Sequence, residues 1–564
     1  MLLLLLFHLV VTVTCTLAGI LAYTLVFRKQ HTPLVFYPVM GLIGITSVTQ
    51  VVALFRPVDA LFSLVFTGLL VFSGLIKRRL VYQELERINN RIRNLTPTGL
   101  LILSSAWLLL LTLNAGPLMM DDTESYHIQM IKWLKEYGTV PGLANLHERY
   151  GFNSSWFSGI AFFLPSASNR NFYPLLNGAL SLWLVSYIVF QWKGIKKDEN
   201  NVQPTGNMAG LAGVFLLSLA SWPLLRGNVS TTNYDFVTTL LVFLLFIETL
   251  KHSRHAEAFY CSTEWIIWPV YLFTVRTING PLLLLSFFAL WHLYKEKKWR
   301  DILTYAALAC FCIVPYISRN VMLSGYAFYP AMHPDFFEVD WKVGRQTVDD
   351  LLRFIKYFNR VNTMHMDLQE TEKLTFPGWL PVWFRYLFSY DKLVLIPGLL
   401  GVIFFFLQAK KNYAVHVRFF VAVLVVQLLS WLFIAPDPRF VYGPLLIGAF
   451  LLGSTVIKNR LYRFDSRIFR SAAVLLSASM VGFTAIKIYK GPETYRNFIL
   501  PCQIPQPAIS NTIVDGIVLY IPDKFGANWN ARCYATALPC LYMVQPGLRA
   551  RGNSIKDGFR IEKQ

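Results

Sequence analysis

Two adjacent carboxylates, Asp121 and Asp122, end the hydrophobic run from Gly99 to Met120. A carboxylate at such a place can accept the proton of an attacking hydroxyl. It can equally hold a divalent cation, Mg²⁺ or Mn²⁺, that does similar electrostatic work. Helix capping accounts for one of the two, because Glu124 follows Asp121 at the spacing of a capping box. It gives no reason for a second acid at the mouth of an apolar span, where desolvation raises the cost of charge. Four further ionisable residues stand at the ends of other apolar runs: Asp235 in VSTTNYDF, Arg276 before Thr-Ile-Asn-Gly-Pro, Arg319 opening RNVMLSGYAFYP, and Arg439 in APDPRF. Snorkelling to headgroups would explain any one arginine. All of them on one face point to a polar cavity, and the planar fork of arginine suits phosphate. His127, His333 and His365 are isolated, and His127 reads as a packing residue. No G-x-x-x-x-G-K-[ST], H-E-x-x-H or G-x-S-x-G motif occurs, so nothing supports ATP hydrolysis, zinc proteolysis or serine hydrolase chemistry.

The elements that must position these residues are membrane spans. Of the 564 residues 55% are hydrophobic and 15% charged, against about a quarter charged in soluble domains. The apolar residues come in blocks near the length that crosses a hydrocarbon core and do not alternate as barrel strands do. The class is an all-α polytopic membrane protein. The net charge of +20 falls in links between spans, so it reports topology and a lipid bilayer rather than a nucleic-acid partner. Spans are expected at 2–27, 32–55, 58–75, 99–120, 172–192, 208–225, 236–250, two within 263–294 hinged at Arg276–Pro281, 302–318, 391–408, 417–434, 440–456 and 470–487. These make about fourteen; the apolar segment at 155–165 is too short to cross comfortably and is not counted among them.

Basic links at Lys77–Arg93, at Lys193, Lys196 and Lys197, at Lys251 and Arg254, at Lys295–Lys298, at Lys410–Lys411 and at Lys458–Arg467 then fall on the cytoplasmic side. Both termini, the acidic pair and Arg439 fall outside. The division is a transmembrane domain over 1–490, with outer loops at 120–171 and 319–390, and an extracytoplasmic region over 491–564. Tyr126, Met130, Trp133, Leu134 and Tyr137 form one apolar stripe after the acidic pair. They predict an amphipathic helix ending at Gly138 and lying in the membrane interface. In the tail, NTIVDGIVLYI over 511–521 has strand-like alternation. Cys533 and Cys540 are a disulfide candidate in an oxidising compartment, or two free thiols otherwise.

MDDTESYHIQMIKWL resembles the acidic motif and juxtamembrane helix of the GT-C integral-membrane glycosyltransferases. RNVMLSGYAFYP and APDPRFVYGPL are similar to an R-N-x-x-x-(S/T)-G-x-x-x-Y-P segment and a proline-rich outer turn of bacterial members. The resemblance covers about residues 1–490 and does not extend to the tail. It implies a GT-C-like fold in a bacterial inner membrane. It also implies a polyprenyl-phosphate sugar donor and a glycan or lipid acceptor reached from the outer, periplasmic face, in surface glycan or glycolipid assembly. Single displacement would invert the anomeric centre. Arg439, with Arg319 or Arg276, would hold the donor phosphate. Either Asp121 or Asp122 would be the base or cation ligand, Asp235 would belong to the same face, and Tyr126 and Tyr150 would line the sugar site. The rival readings are a lipid-linked-sugar flippase or other transporter, and a non-catalytic membrane scaffold. Transporters favour internal repeats and midplane charges, and this sequence has neither.

Overall fold

The structure, a computed structural model, describes residues 1–28, 32–165, 169–191, 229–251, 263–361, 365–457, 466–497, 499–523 and 532–562. It is a helical membrane protein with a small β-containing tail. Among the described residues, eight helices are long and apolar enough to cross a membrane: Leu2–Val26, Phe36–Ala53, Pro97–Ala115, Thr277–Lys295, Trp299–Ser324, Ser389–Gln408, Val415–Ile434 and Arg470–Lys490. Ala60–Ile76 makes a ninth when joined to Arg78–Arg93, across a bend of 95°. The helices Leu175–Gln191, Tyr234–Lys251, Thr263–Val275 and Tyr442–Ile457 are apolar but shorter or more polar. The expected span 208–225 lies outside the described residues, as do Lys193, Lys196, Lys197, Arg254 and the link from Lys458 to Arg463.

Local chemistry sets the element ends that matter for the site. Thr96 begins the helix Pro97–Ala115, its hydroxyl accepting from the Gly99 amide at 3.1 Å, and proline at the first position costs no hydrogen bond. The expected hinge is present: Thr263–Val275 stops, Thr277–Leu282 forms a 3-10 segment, and Leu283–Lys295 continues. Arg276 stands in extended backbone between them. Two expectations change. The helix Trp299–Ser324 runs past Arg319 and ends only at Gly325, so Arg319 lies inside a span and not at the head of an outer loop. Asp121 and Asp122 do not cap the next helix. Asp122 makes no side-chain cap bond, and the chain enters through a π turn, Thr123–His127, before the helix Ile128–Glu136.

That helix ends at Gly138, whose φ of +83° suits only glycine. Its apolar stripe packs against the rest of the protein. Ile128, Met130, Ile131, Trp133 and Leu134 are fully buried, each contributing about 2 kcal/mol by removal from water. Its polar side is covered by the tail. Gln129 Nε2 donates to the carbonyls of Tyr534 and Thr536, both at 3.0 Å. Lys132 Nζ donates to those of Ala535 and Thr536 at 2.9 and 2.6 Å.

The tail is built from two antiparallel hairpins. Strands β1 (Ile509–Val514) and β2 (Ile517–Pro522) pair, and β3 (Leu548–Ala550) pairs with β4 (Phe559–Ile561). The segment read as one short strand is therefore the first hairpin, turned at Asp515-Gly516 where both residues have positive φ. The second hairpin docks against 141–145. The Phe559 amide donates to the Pro141 carbonyl at 3.1 Å, and Asn145 Nδ2 donates to the Phe559 carbonyl at 3.2 Å. A Cβ at Gly142, where φ is +70°, would overlap that Phe559 carbonyl.

Candidate functional site

Asp122 follows a short extended link after the helix Pro97–Ala115. Its carboxylate lies between two guanidiniums, 3.5 Å from Arg149 Nη1 and 3.4 Å from Arg439 Nη1. Arg149 sits on the 3-10 turn Glu148–Gly151, where the His147 ring accepts its backbone amide. Its guanidinium rests between the rings of Tyr126 and Phe354, 5.9 and 6.0 Å from their centres. Arg439 sits on the 3-10 turn Pro438–Val441, started by the Asp437 side chain. The same Asp437 carboxylate pairs with Arg439 Nε at 2.8 Å.

Arg276 joins the group through Phe440. The Arg276 and Arg439 guanidiniums lie 3.7 and 5.0 Å from that ring's centre. Arg276 is also paired with the buried Asp235 and lies 5.3 Å from the Tyr234 ring centre. Three arginines thus stand against Asp122, Asp235 and Asp437. The group retains access to solvent: the side chains of Asp122, Arg149 and Arg439 are 22%, 27% and 34% exposed.

The electrostatics separates the two adjacent acids. Burial works to raise the Asp122 carboxyl, but Arg439 and Arg149 outweigh it and hold it below the ordinary aspartate value. Asp121, nearly half exposed, turns the other way and pairs with Arg532 Nη2 at 2.6 Å. Arg532 also pairs with Glu124, whose carboxyl burial raises while Arg532 opposes it. His127 is buried beneath Asp122, with its Nδ1 2.9 Å from the Thr232 hydroxyl. Burial pushes that ring down to about 3, so it stays neutral and packs. A cation held jointly by the acidic pair does not fit this arrangement, since each carboxylate faces its own guanidinium. Among the described residues no three His, Cys, Asp or Glu gather to hold a metal.

The structure therefore brings Asp122, Arg439, Arg276, Asp235 and Tyr126 together, and sets Asp121 beside them with a different partner. It does not bring in Arg319 or Tyr150. Arg319 is buried within its helix and donates to Asn153 Oδ1 at 2.8 Å. Tyr150 is fully buried and donates to the Cys540 carbonyl, so it anchors the tail. Arg149, Asp437, Phe440 and Arg532 complete the group beyond the residues expected from sequence. Arg149 had a signal in its place in the polar segment after the acidic pair, and Asp437 and Phe440 stood in APDPRF beside Arg439. Arg532, 408 residues from Glu124, had none.

Cys533 and Cys540 form a disulfide. The loop they close supplies the carbonyls that accept from Gln129 and Lys132, and the Tyr534 amide donates to the Glu124 carbonyl at 2.8 Å. The tail is thus a strap across the acidic segment. No curated protein and no solved structure matches the chain. A family model matches residues 1–446, a stretch that holds Asp121, Asp122, Arg149, Asp235, Arg276 and Arg439 but stops before the strap. The chain belongs to the DUF8201 family, described as a domain of unknown function.

Proposed function

We propose that this protein is an inverting membrane glycosyltransferase of GT-C type. It would move a sugar from a polyprenyl-phosphate donor to a hydroxyl of a glycan or lipid acceptor at the outer face. The observation that carries this reading is Asp122 held between Arg149 and Arg439 at the ends of apolar helices. A carboxylate clamped by two guanidiniums is a weak base. A donor phosphate arriving at headgroup depth competes for the same N–H groups, in the bidentate geometry that arginine favours. As the phosphate takes Arg439 and Arg149, Asp122 loses the charges that depress it and becomes the stronger base.

The acceptor hydroxyl then attacks the anomeric carbon and its proton passes to Asp122. The carbon–oxygen bond to phosphate breaks, and polyprenyl phosphate leaves with its added charge on the arginines. Arg276, stacked on Phe440 and paired with Asp235, holds the Arg439 turn in place.

The test uses purified protein in liposomes with a radiolabelled pool of polyprenyl-phosphate sugars. Protein-dependent release of polyprenyl phosphate supports a transferase. Labelled lipid crossing the bilayer with its sugar still attached would replace this reading with a flippase.

A further inference from the structure

The end of the molecule opposite Asp122 carries a second feature that sugar transfer does not use. The helix Arg78–Arg93 turns 95° from Ala60–Ile76. Its apolar residues Val81, Leu85, Ile88 and Ile92 repeat at i, i+4, i+7 and i+11, and all four line a cavity of about 790 Å³. The other walls come from the halves of the helices nearest this end, including Leu17, Leu75, Trp107 and Phe190. The lining is almost wholly apolar, and Arg78 is its one charged member. The helix is fixed in place by Glu84, which accepts from Tyr37 at 2.8 Å and pairs with Arg87 at 2.6 Å. Arg78, Arg79, Arg91 and Arg93 have no carboxylate partner among the described residues.

We propose that this cavity is a specific site for one anionic phospholipid of the leaflet opposite the Asp122 end. The acyl chains lie against the apolar stripe and Trp107, and the phosphate sits at Arg78. An apolar cavity of this size facing lipid fills with chains, since no water-exposed surface is gained by leaving it open. The unpaired arginines select a negative headgroup over a neutral one, as basic segments at membrane surfaces do. The site depends only on the chain spanning a bilayer, so it stands or falls apart from the transferase reading.

Trp107 reports on it. Ten residues into its helix, it lies about 15 Å from the helix start, near the middle of the hydrocarbon core. The full chain is placed in phosphatidylcholine vesicles holding a minor fraction of phosphatidylglycerol brominated at mid-chain. The difference in fluorescence between wild type and Trp107→Phe isolates that ring. Quenching well above the mole fraction of brominated phosphatidylglycerol is expected, with brominated phosphatidylcholine at the same fraction quenching only in proportion. Arg78→Gln should lower the enrichment roughly fivefold, and Arg93→Gln, which does not line the cavity, should lower it less. As a second measurement, mass spectrometry of the purified protein should find phosphatidylglycerol retained by wild type and lost from Arg78→Gln. Equal quenching by the two lipids, or equal effects of the two arginine variants, would overturn the proposal.

Discussion

Asp121→Asn and Asp122→Asn should have very different kinetic signatures, although the residues are neighbours. Asp122 is the group that receives the proton, and removing a positioned base costs about 10²–10⁴ in rate, or about 3–5 kcal/mol of barrier. It also frees Arg149 and Arg439 of their countercharge at 3.5 and 3.4 Å. The Asp122→Asn variant should therefore lose kcat while its KM for the donor stays level or falls. Asp121 is nearly half exposed, and its partner Arg532 keeps Glu124 when Asp121 is neutralised. An exposed pair of this kind contributes about 0–1 kcal/mol, so Asp121→Asn should change kcat by roughly fivefold at most. The assay is steady-state release of polyprenyl phosphate in liposomes, with folding checked by thermal melting. Equal losses in both variants, or a raised KM at unchanged kcat for Asp122→Asn, would refute the division of labour.

Three further outcomes follow from the same geometry. Arg149 helps hold the Asp122 carboxyl down, so Arg149→Gln should raise its pKa. The acidic limb of the kcat/KM profile should then move to higher pH, because the base is protonated sooner. His127 is held down to about 3 by burial, against an ordinary value near 6.5. As pH falls through that window the unfolded chain binds a proton that the folded chain does not. Stability should drop by about 1.4 kcal/mol per pH unit, a slope that His127→Gln should flatten in melts taken between pH 7 and pH 5. Opening the Cys533–Cys540 bridge with reductant, or with the double serine variant, releases a short closed loop worth about 2 kcal/mol. Protease cleavage should then appear in the strap, and Arg532 should lose its hold on Glu124 and Asp121.

Much of the frame was legible in the sequence because membrane spans write themselves as unbroken apolar runs. The hinge at Arg276 was visible because Asn-Gly-Pro cannot continue a helix, and Gly138 marked the end of the helix after the acids. Arg319 reads as a boundary because a polar pair, Arg319-Asn320, at the end of an apolar run looks like one, whereas the helix goes on for another turn and buries it. The Asp515-Gly516 turn is a hairpin signal that the strand-like alternation on both sides of it masks. Other features had no local trace. The helix Ile128–Glu136 reads as amphipathic, and only the tail's carbonyls, some 400 residues away in sequence, reveal that its polar side is covered. The partition of Asp121 from Asp122 rests likewise on Arg532, Arg149 and Arg439, which tertiary folding alone brings to them.

The central claim is that a lipid phosphate displaces Asp122 from its two arginines. A cryo-electron microscopy structure of the full chain in nanodiscs loaded with polyprenyl phosphate tests it most directly. The phosphate should lie within hydrogen-bond distance of Arg439 and Arg149, with the Asp122 carboxylate turned free toward the acceptor side. A phosphate bound elsewhere, with the Asp122–arginine contacts intact, would contradict it.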